Sequence, residues 1–114
     1  MDALPDAAYV YMVRCTGGQL YTGWTNQPAA RLKAHQSGKG ARYTRAHGAV
    51  GFAYLERCAD KRAALRREAA LKKLSKPEKE VLCAAWQSAG CPGVETIENA
   101  LRGESFCLPR DVLF

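Results

Sequence analysis

Residues 9–24 read YVYMVRCTGGQLYTGW, and the fold is decided there. Residues 9–14 are aromatic and β-branched with no Pro or Gly, the composition of a strand. Residues 15–19 carry two adjacent glycines and supply a turn, and residues 20–24 return as the second arm of a hairpin. Side chains alternate between faces along a strand. An odd loop count therefore puts Tyr11 and Tyr21 on one face of the hairpin, and an even count puts them on opposite faces. Gly23, inside the second arm, permits close approach of a ligand or another backbone.

Outward from the hairpin, Asn26 is placed to cap a helix that opens near Pro28 and carries Arg31, Leu32 and His35. Ser37-Gly38-Lys39-Gly40 breaks it, and residues 41–47 form a short basic segment of about one helical turn. Residues 50–57 (VGFAYLER) alternate as a third strand. Asp60 caps a further helix running to about Leu74, with Ala63, Ala64, Leu65, Leu71 and Leu74 as its apolar positions. Ser75-Lys-Pro-Glu78 has the spacing of a capping box and starts another helix that ends by Ala89-Gly90. Cys91-Pro-Gly reads as a linker, and residues 94–101 as a weaker helix before an apolar end. The third strand could pair either way, but three strands are too few for a doubly wound sheet. One small sheet with helices packed around it is the economical core.

The chain has 114 residues, which fits one domain and excludes a second core of useful size. With 47% hydrophobic and 25% charged residues, wholesale disorder is excluded as well. Apolar runs are only a few residues long, and the start MDALPDAAYVYMV lacks the basic, then apolar pattern of a signal peptide. A cytoplasmic protein without membrane association is expected. Five cysteines (Cys15, Cys58, Cys83, Cys91, Cys107), none in a C-x-x-C pair, argue against a disulfide scaffold or zinc ribbon and for reduced, packed thiols.

The net charge is +6, and its placement says more than its sum. No acidic residue occurs between Ala7 and Leu55. The first 80 residues hold 15 bases and 7 acids, a net +8, while the remainder carries −2. A basic front suits a polyanionic partner, because neutralising phosphates releases counterions; a merely solvated basic surface is the plainer alternative.

Three side chains call for chemistry. Arg31 and His35 stand at i and i+4 on the first helix, an arrangement of two cation-capable groups that a phosphate target would explain. Glu68 is the lone acid of its helix after the cap, and its neighbours Ala64, Leu65 and Leu71 place it along the apolar stripe. A carboxylate there needs a metal, a partner such as Arg31, or a rim position that reaches water.

These residues, taken in order, resemble the GIY-YIG nuclease superfamily, and most of all its small stand-alone bacterial members. The matching stretches are Tyr9-Val-Tyr11, Tyr21-Thr-Gly23, Arg31-Leu-Lys-Ala-His35, Gly38-Lys-Gly-Ala-Arg-Tyr43-Thr44, and Ala64-Leu-Arg-Arg-Glu68 followed by Lys72-Lys73-Leu74. The first half-motif has Tyr9 in place of Gly, the second has Thr22 in place of Ile, and no Asn follows Glu68 before Asn99. The resemblance implies an α+β fold: a small three-stranded antiparallel sheet, the N-terminal hairpin plus one later strand, flanked by helices. It assigns residues 8–83 to a nuclease-like domain and leaves residues 84–114 as an appendage without a role. It implies hydrolysis of DNA phosphodiester bonds with a single Mg²⁺ or Mn²⁺ held by Glu68, in repair or in processing of structured DNA. On that carry-over Arg31 clamps the scissile phosphate, Tyr11 orients or deprotonates the attacking water, and Tyr21, His35 and Tyr43 position water and phosphate. His35 competes with Tyr11 for the role of base. Lys39, Arg42, Arg45 and Lys72 are the candidate nucleic-acid contacts. Two alternatives share the basic surface: a nucleic-acid-binding module with little cleavage, and a partner of a larger repair protein docked through the acidic tail.

Overall fold

The computed structural model describes residues 8–92. Its elements are β1 (Ala8–Cys15), β2 (Leu20–Thr25), α1 (Pro28–Gln36), α2 (Arg42–His47), β3 (Ala49–Cys58), α3 (Lys61–Lys72) and α4 (Lys76–Ser88). The expected helix at residues 94–101 lies outside the described residues, as does Cys107.

The three strands form one sheet in the order β2-β1-β3, antiparallel throughout, which decides how the third strand pairs. β1 is central and every one of its residues is buried, because helices cover both of its faces. Tyr9, Tyr11 and Val13 look into one core cluster with Leu32, Phe52 and Leu55, while Met12 on the other face meets Ala53 and Cys83. Trp86 and Cys91 also belong to the first cluster. The four described cysteines are free thiols, and among the described residues no helix is long and apolar enough to cross a membrane.

The charged residue on β1 is paired across the fold. Arg14 donates through Nη1 and Nη2 to the two carboxylate oxygens of Glu80 on α4, at 2.5 and 2.8 Å, and through Nη1 to the Gly18 carbonyl. A fork-to-carboxylate pair suits a guanidinium whose side chain is only 4% exposed, and it ties α4 to the central strand.

Local signals act as expected at two helix starts. The Asp60 side chain accepts from the Ala63 N–H at 2.8 Å, and Ser75 with Glu78 forms a complete capping box. Two expectations are corrected. Asn26 does not cap α1: Gln27 is the N-cap residue without a side-chain cap bond, and Thr25 Oγ1 accepts from the Gln27 N–H. That short Thr turn, with Pro28 fixing the first helical φ, supplies the entry that Asn26 was expected to give. Leu65 is exposed rather than part of the buried stripe: the residues that α3 buries are Ala64 and Leu71.

Candidate active site

The hairpin register brings the tyrosines together. Tyr11 pairs with Gly23 and Val13 with Tyr21, so five residues separate the last paired positions, Arg14 and Leu20. The count is odd, and Tyr11 and Tyr21 share one face. The close approach expected at Gly23 is made by Tyr11 itself: a Cβ at position 23 would lie 2.7 Å from Tyr11 Oη and 3.3 Å from Tyr21 Cε2. Glycine is needed there because the phenol lies across its strand neighbour.

α1 docks on this face through Leu32, which is fully buried. One helical turn sets Arg31 beside the phenol and His35 behind it. Tyr11 Oη stands 2.8 Å from His35 Nε2, and Arg31 Nε donates to the same oxygen over 3.4 Å. His35 Nδ1 lies 2.8 Å from Thr44 Oγ1 on α2. His35 is wholly buried, with its ring against Tyr11 at 5.6 Å and Tyr21 at 5.3 Å. Both ring nitrogens are therefore engaged inside the protein, and His35 has no direct contact with solvent.

The segment that follows α1 is built around this imidazole. A Cβ on Gly40 would fall on His35 Nδ1 and within 2.9 Å of its Cα, so only glycine lets the chain cross over the ring. α2 then returns Thr44 to Nδ1 and lays Tyr43 on Tyr21, with centroids 6.0 Å apart and planes 28° from parallel. Tyr43 also meets His47 at 4.4 Å and remains exposed, at 41%.

The electrostatics of the two central groups oppose each other. Burial raises the Tyr11 phenol above its ordinary value; the Arg31 hydrogen bond and charge pull it down, and Tyr21 and Glu68 push it up. Desolvation therefore outweighs the pull of Arg31. Burial first, and the Arg31 charge second, lower His35 to about 4. At neutral pH His35 is an uncharged imidazole, not the second cation that its spacing from Arg31 suggested.

Glu68 lies on α3 and its side chain is 15% exposed, a rim position. Its carboxylate pairs with Lys72 one turn later at 2.7 Å rather than with Arg31, and that hydrogen bond raises the Lys72 pKa. Lys39, Arg42 and Arg45 are exposed, the last two one turn apart on α2. Among the described residues no group of three or more His, Cys, Asp or Glu could hold a metal. A single carboxylate still fits Mg²⁺, which binds through one or two carboxylates and keeps several waters alongside substrate phosphates.

Sequence reasoning assigns no role to Thr44 or Gly40. Both act only through His35, from nine and five residues away. The signal that pointed to them was their place inside the stretch 38–44 that carries the family resemblance.

Paired tyrosines on one face of the antiparallel sheet thus meet Arg31 and His35 of α1, with Glu68 of α3 at the rim. The chain belongs to the GIY-YIG catalytic domain family, whose model matches residues 7–81. Its similar relatives are UPF0213 proteins. One from Clostridium perfringens is 48% identical over 71 residues, covering 62% of this chain and 76% of that protein. Another, from Streptococcus sanguinis, is 46% identical over 76 residues, covering 67% and 87%. The solution structure of a UPF0213 protein from Bacillus halodurans is 33% identical, covers 86% of this chain and 99% of that one, and has a TM-score of 0.43.

Proposed function

We propose that this protein is a metal-dependent endonuclease that hydrolyses DNA phosphodiester bonds. The observation that carries the reading is the convergence of Tyr11, Tyr21, Arg31, His35 and Tyr43, with Glu68 at the rim. Arg31 is assigned to a non-bridging oxygen of the scissile phosphate, where a guanidinium stabilises charge that grows in the transition state. Tyr11 is assigned to the attacking water because its hydroxyl is the one Arg31 reaches, one hydrogen bond nearer the phosphate position than His35; His35 takes the hydrogen bond of the phenol and so sets its orientation. Tyr21 and Tyr43 flank the phosphate position, and Lys39, Arg42 and Arg45 contact neighbouring phosphates. Lys72 pairs with Glu68 before substrate arrives and is assigned to a backbone phosphate afterwards. Glu68 would hold Mg²⁺ or Mn²⁺, which supplies Lewis-acid stabilisation of the leaving oxygen. Repair or processing of structured DNA inside the cytoplasm is the setting this reading favours.

The test is a panel of labelled single-stranded, duplex and branched DNA with purified protein and Mg²⁺ or Mn²⁺. Nicking that EDTA stops, and that falls by about 10²–10³ in Arg31→Ala and Glu68→Gln, is expected. Cleavage unchanged in both variants would refute the site. Salt-sensitive binding with no cleavage of any substrate would replace the nuclease by a binding module.

A further inference from the structure

The hydrogen bonds behind Tyr11 continue past the imidazole, and their donors can be counted from both ends. At the far end, Thr44 Oγ1 donates to the carbonyl of Ala41, the N-cap residue of α2, at 3.0 Å. A hydroxyl has one proton, so with that proton spent the same oxygen faces His35 Nδ1 at 2.8 Å as an acceptor. Nδ1 then carries the imidazole hydrogen. At the near end, the Tyr11 side chain is buried and its oxygen already receives Arg31 Nε–H. The phenolic proton needs an acceptor of its own, because an unpaired buried donor is costly. His35 Nε2 is the group in reach, at 2.8 Å. Each end leads to the same form of the ring.

We propose that Thr44 is a positioning residue of the site: its hydroxyl, anchored on the Ala41 carbonyl, holds His35 in the Nδ1–H tautomer, so that Nε2 is the acceptor for the Tyr11 hydroxyl. The proposal deepens the nuclease reading and rests on it for its catalytic consequence, but the tautomer itself is a property of the free protein. Gly40 belongs to the same device. Its missing side chain lets residues 40–44 fold over the ring and bring Thr44 to Nδ1. With the opposite tautomer, Nε2–H would point at Tyr11 and the phenol would lose the acceptor that aims its proton away from the water position.

The experiment is a long-range ¹H–¹⁵N correlation spectrum of the histidine ring in ¹⁵N-labelled full-length protein at pH 7, without DNA or metal. The wild type is expected to show a protonated Nδ1 and a bare Nε2 for His35. Thr44→Val, close in shape but without the hydroxyl, should shift His35 toward the Nε2–H form, and Thr44→Ser should restore the wild-type pattern. A wild-type His35 in the Nε2–H form overturns the proposal, even if Thr44→Val fails to fold. So does a folded Thr44→Val that keeps Nδ1–H. In the cleavage assay, Thr44→Val should lower kcat about 10–100-fold with KM little changed, and Thr44→Ser should recover it. An active enzyme whose kcat ignores Thr44→Val overturns the positioning role. Failure of the nuclease reading shows separately, as absence of cleavage in the wild type with the nitrogen signals as expected.

Discussion

Mild acid should destabilise this protein through one imidazole. In the fold His35 is held at about 4, against 6.5 for an open chain, by burial and by the Arg31 charge. The groups around it are Tyr11, Tyr21, Arg31 and Thr44, and none offers a negative charge to a histidinium. Between pH 6.5 and 4 the unfolded chain binds a proton that the native state refuses, so stability falls as pH falls through that window. Above pH 6.5 both states are neutral and the contribution is complete; below 4 both are protonated and it is gone. The whole window is worth about 3 kcal/mol, and the part between pH 7.5 and pH 5 about 2 kcal/mol.

That loss is large against the 5–15 kcal/mol typical of a domain, and it falls mostly above the range where ordinary carboxylates titrate. Urea unfolding followed by Trp24 and Trp86 fluorescence at pH 7.5, 6.5, 5.75 and 5.0 measures it. With a slope of roughly 1–2 kcal/mol per molar for a domain of this size, the midpoint should drop by about 1–2 M. His35→Gln supplies the control: it starts less stable, having lost its fitted ring, but should show little slope over the same range. A wild-type midpoint that stays level from pH 7.5 to 5.0 would refute the buried neutral imidazole. A His35→Gln protein with the full wild-type slope would move the effect to another group.

Three substitutions probe the supports of the site. Gly23→Ala forces a Cβ against Tyr11 Oη and should cost about 1–3 kcal/mol in thermal unfolding while lowering cleavage at least tenfold. Glu80→Ala takes the carboxylate partner from the buried Arg14. Because Glu80 is itself about a third exposed, the expected loss is about 2 kcal/mol rather than the full cost of breaking a buried pair, read by urea unfolding. Ser75→Ala removes one half of the capping box on α4 and should cost about 1 kcal/mol in the same assay, with cleavage untouched.

What was legible in the sequence was what neighbouring residues decide. The hairpin could be placed from residues 9–24 because strand composition and paired glycines act locally, and Asp60 and Ser75 could be placed as caps because a cap bonds within three residues. The site was legible as a set of residues in order, since the side chains concerned come from separate elements. The pairing of β3 was not, because neither direction is excluded until the register with β1 exists. Asn26 misled because Thr25, one residue earlier, offered a turn bond that composition does not rank above a cap. The charge state of His35 was hidden for a different reason. Spacing from Arg31 reports proximity, while protonation depends on burial by Tyr11, Tyr21, Gly40 and Thr44, which only the assembled fold supplies.

The same burial constrains how the proposed reaction can start. At rest burial holds the Tyr11 phenol above its ordinary value and His35 at about 4, so passing the phenolic proton to Nε2 is strongly uphill. The resting pair is locked in its neutral form. A phosphodiester seated against Arg31 brings one negative charge, which opposes the Arg31 contribution to the low His35 value and stabilises a proton on the ring. Substrate, not solvent pH, would then set the basicity of the site. The measurement is the His35 ring nitrogen titration in Glu68→Gln protein, free and saturated with a short DNA strand. An upward move of the His35 midpoint on binding is expected. A midpoint unchanged by bound DNA would separate phosphate binding from the Tyr11–His35 pair and place the proton acceptor elsewhere.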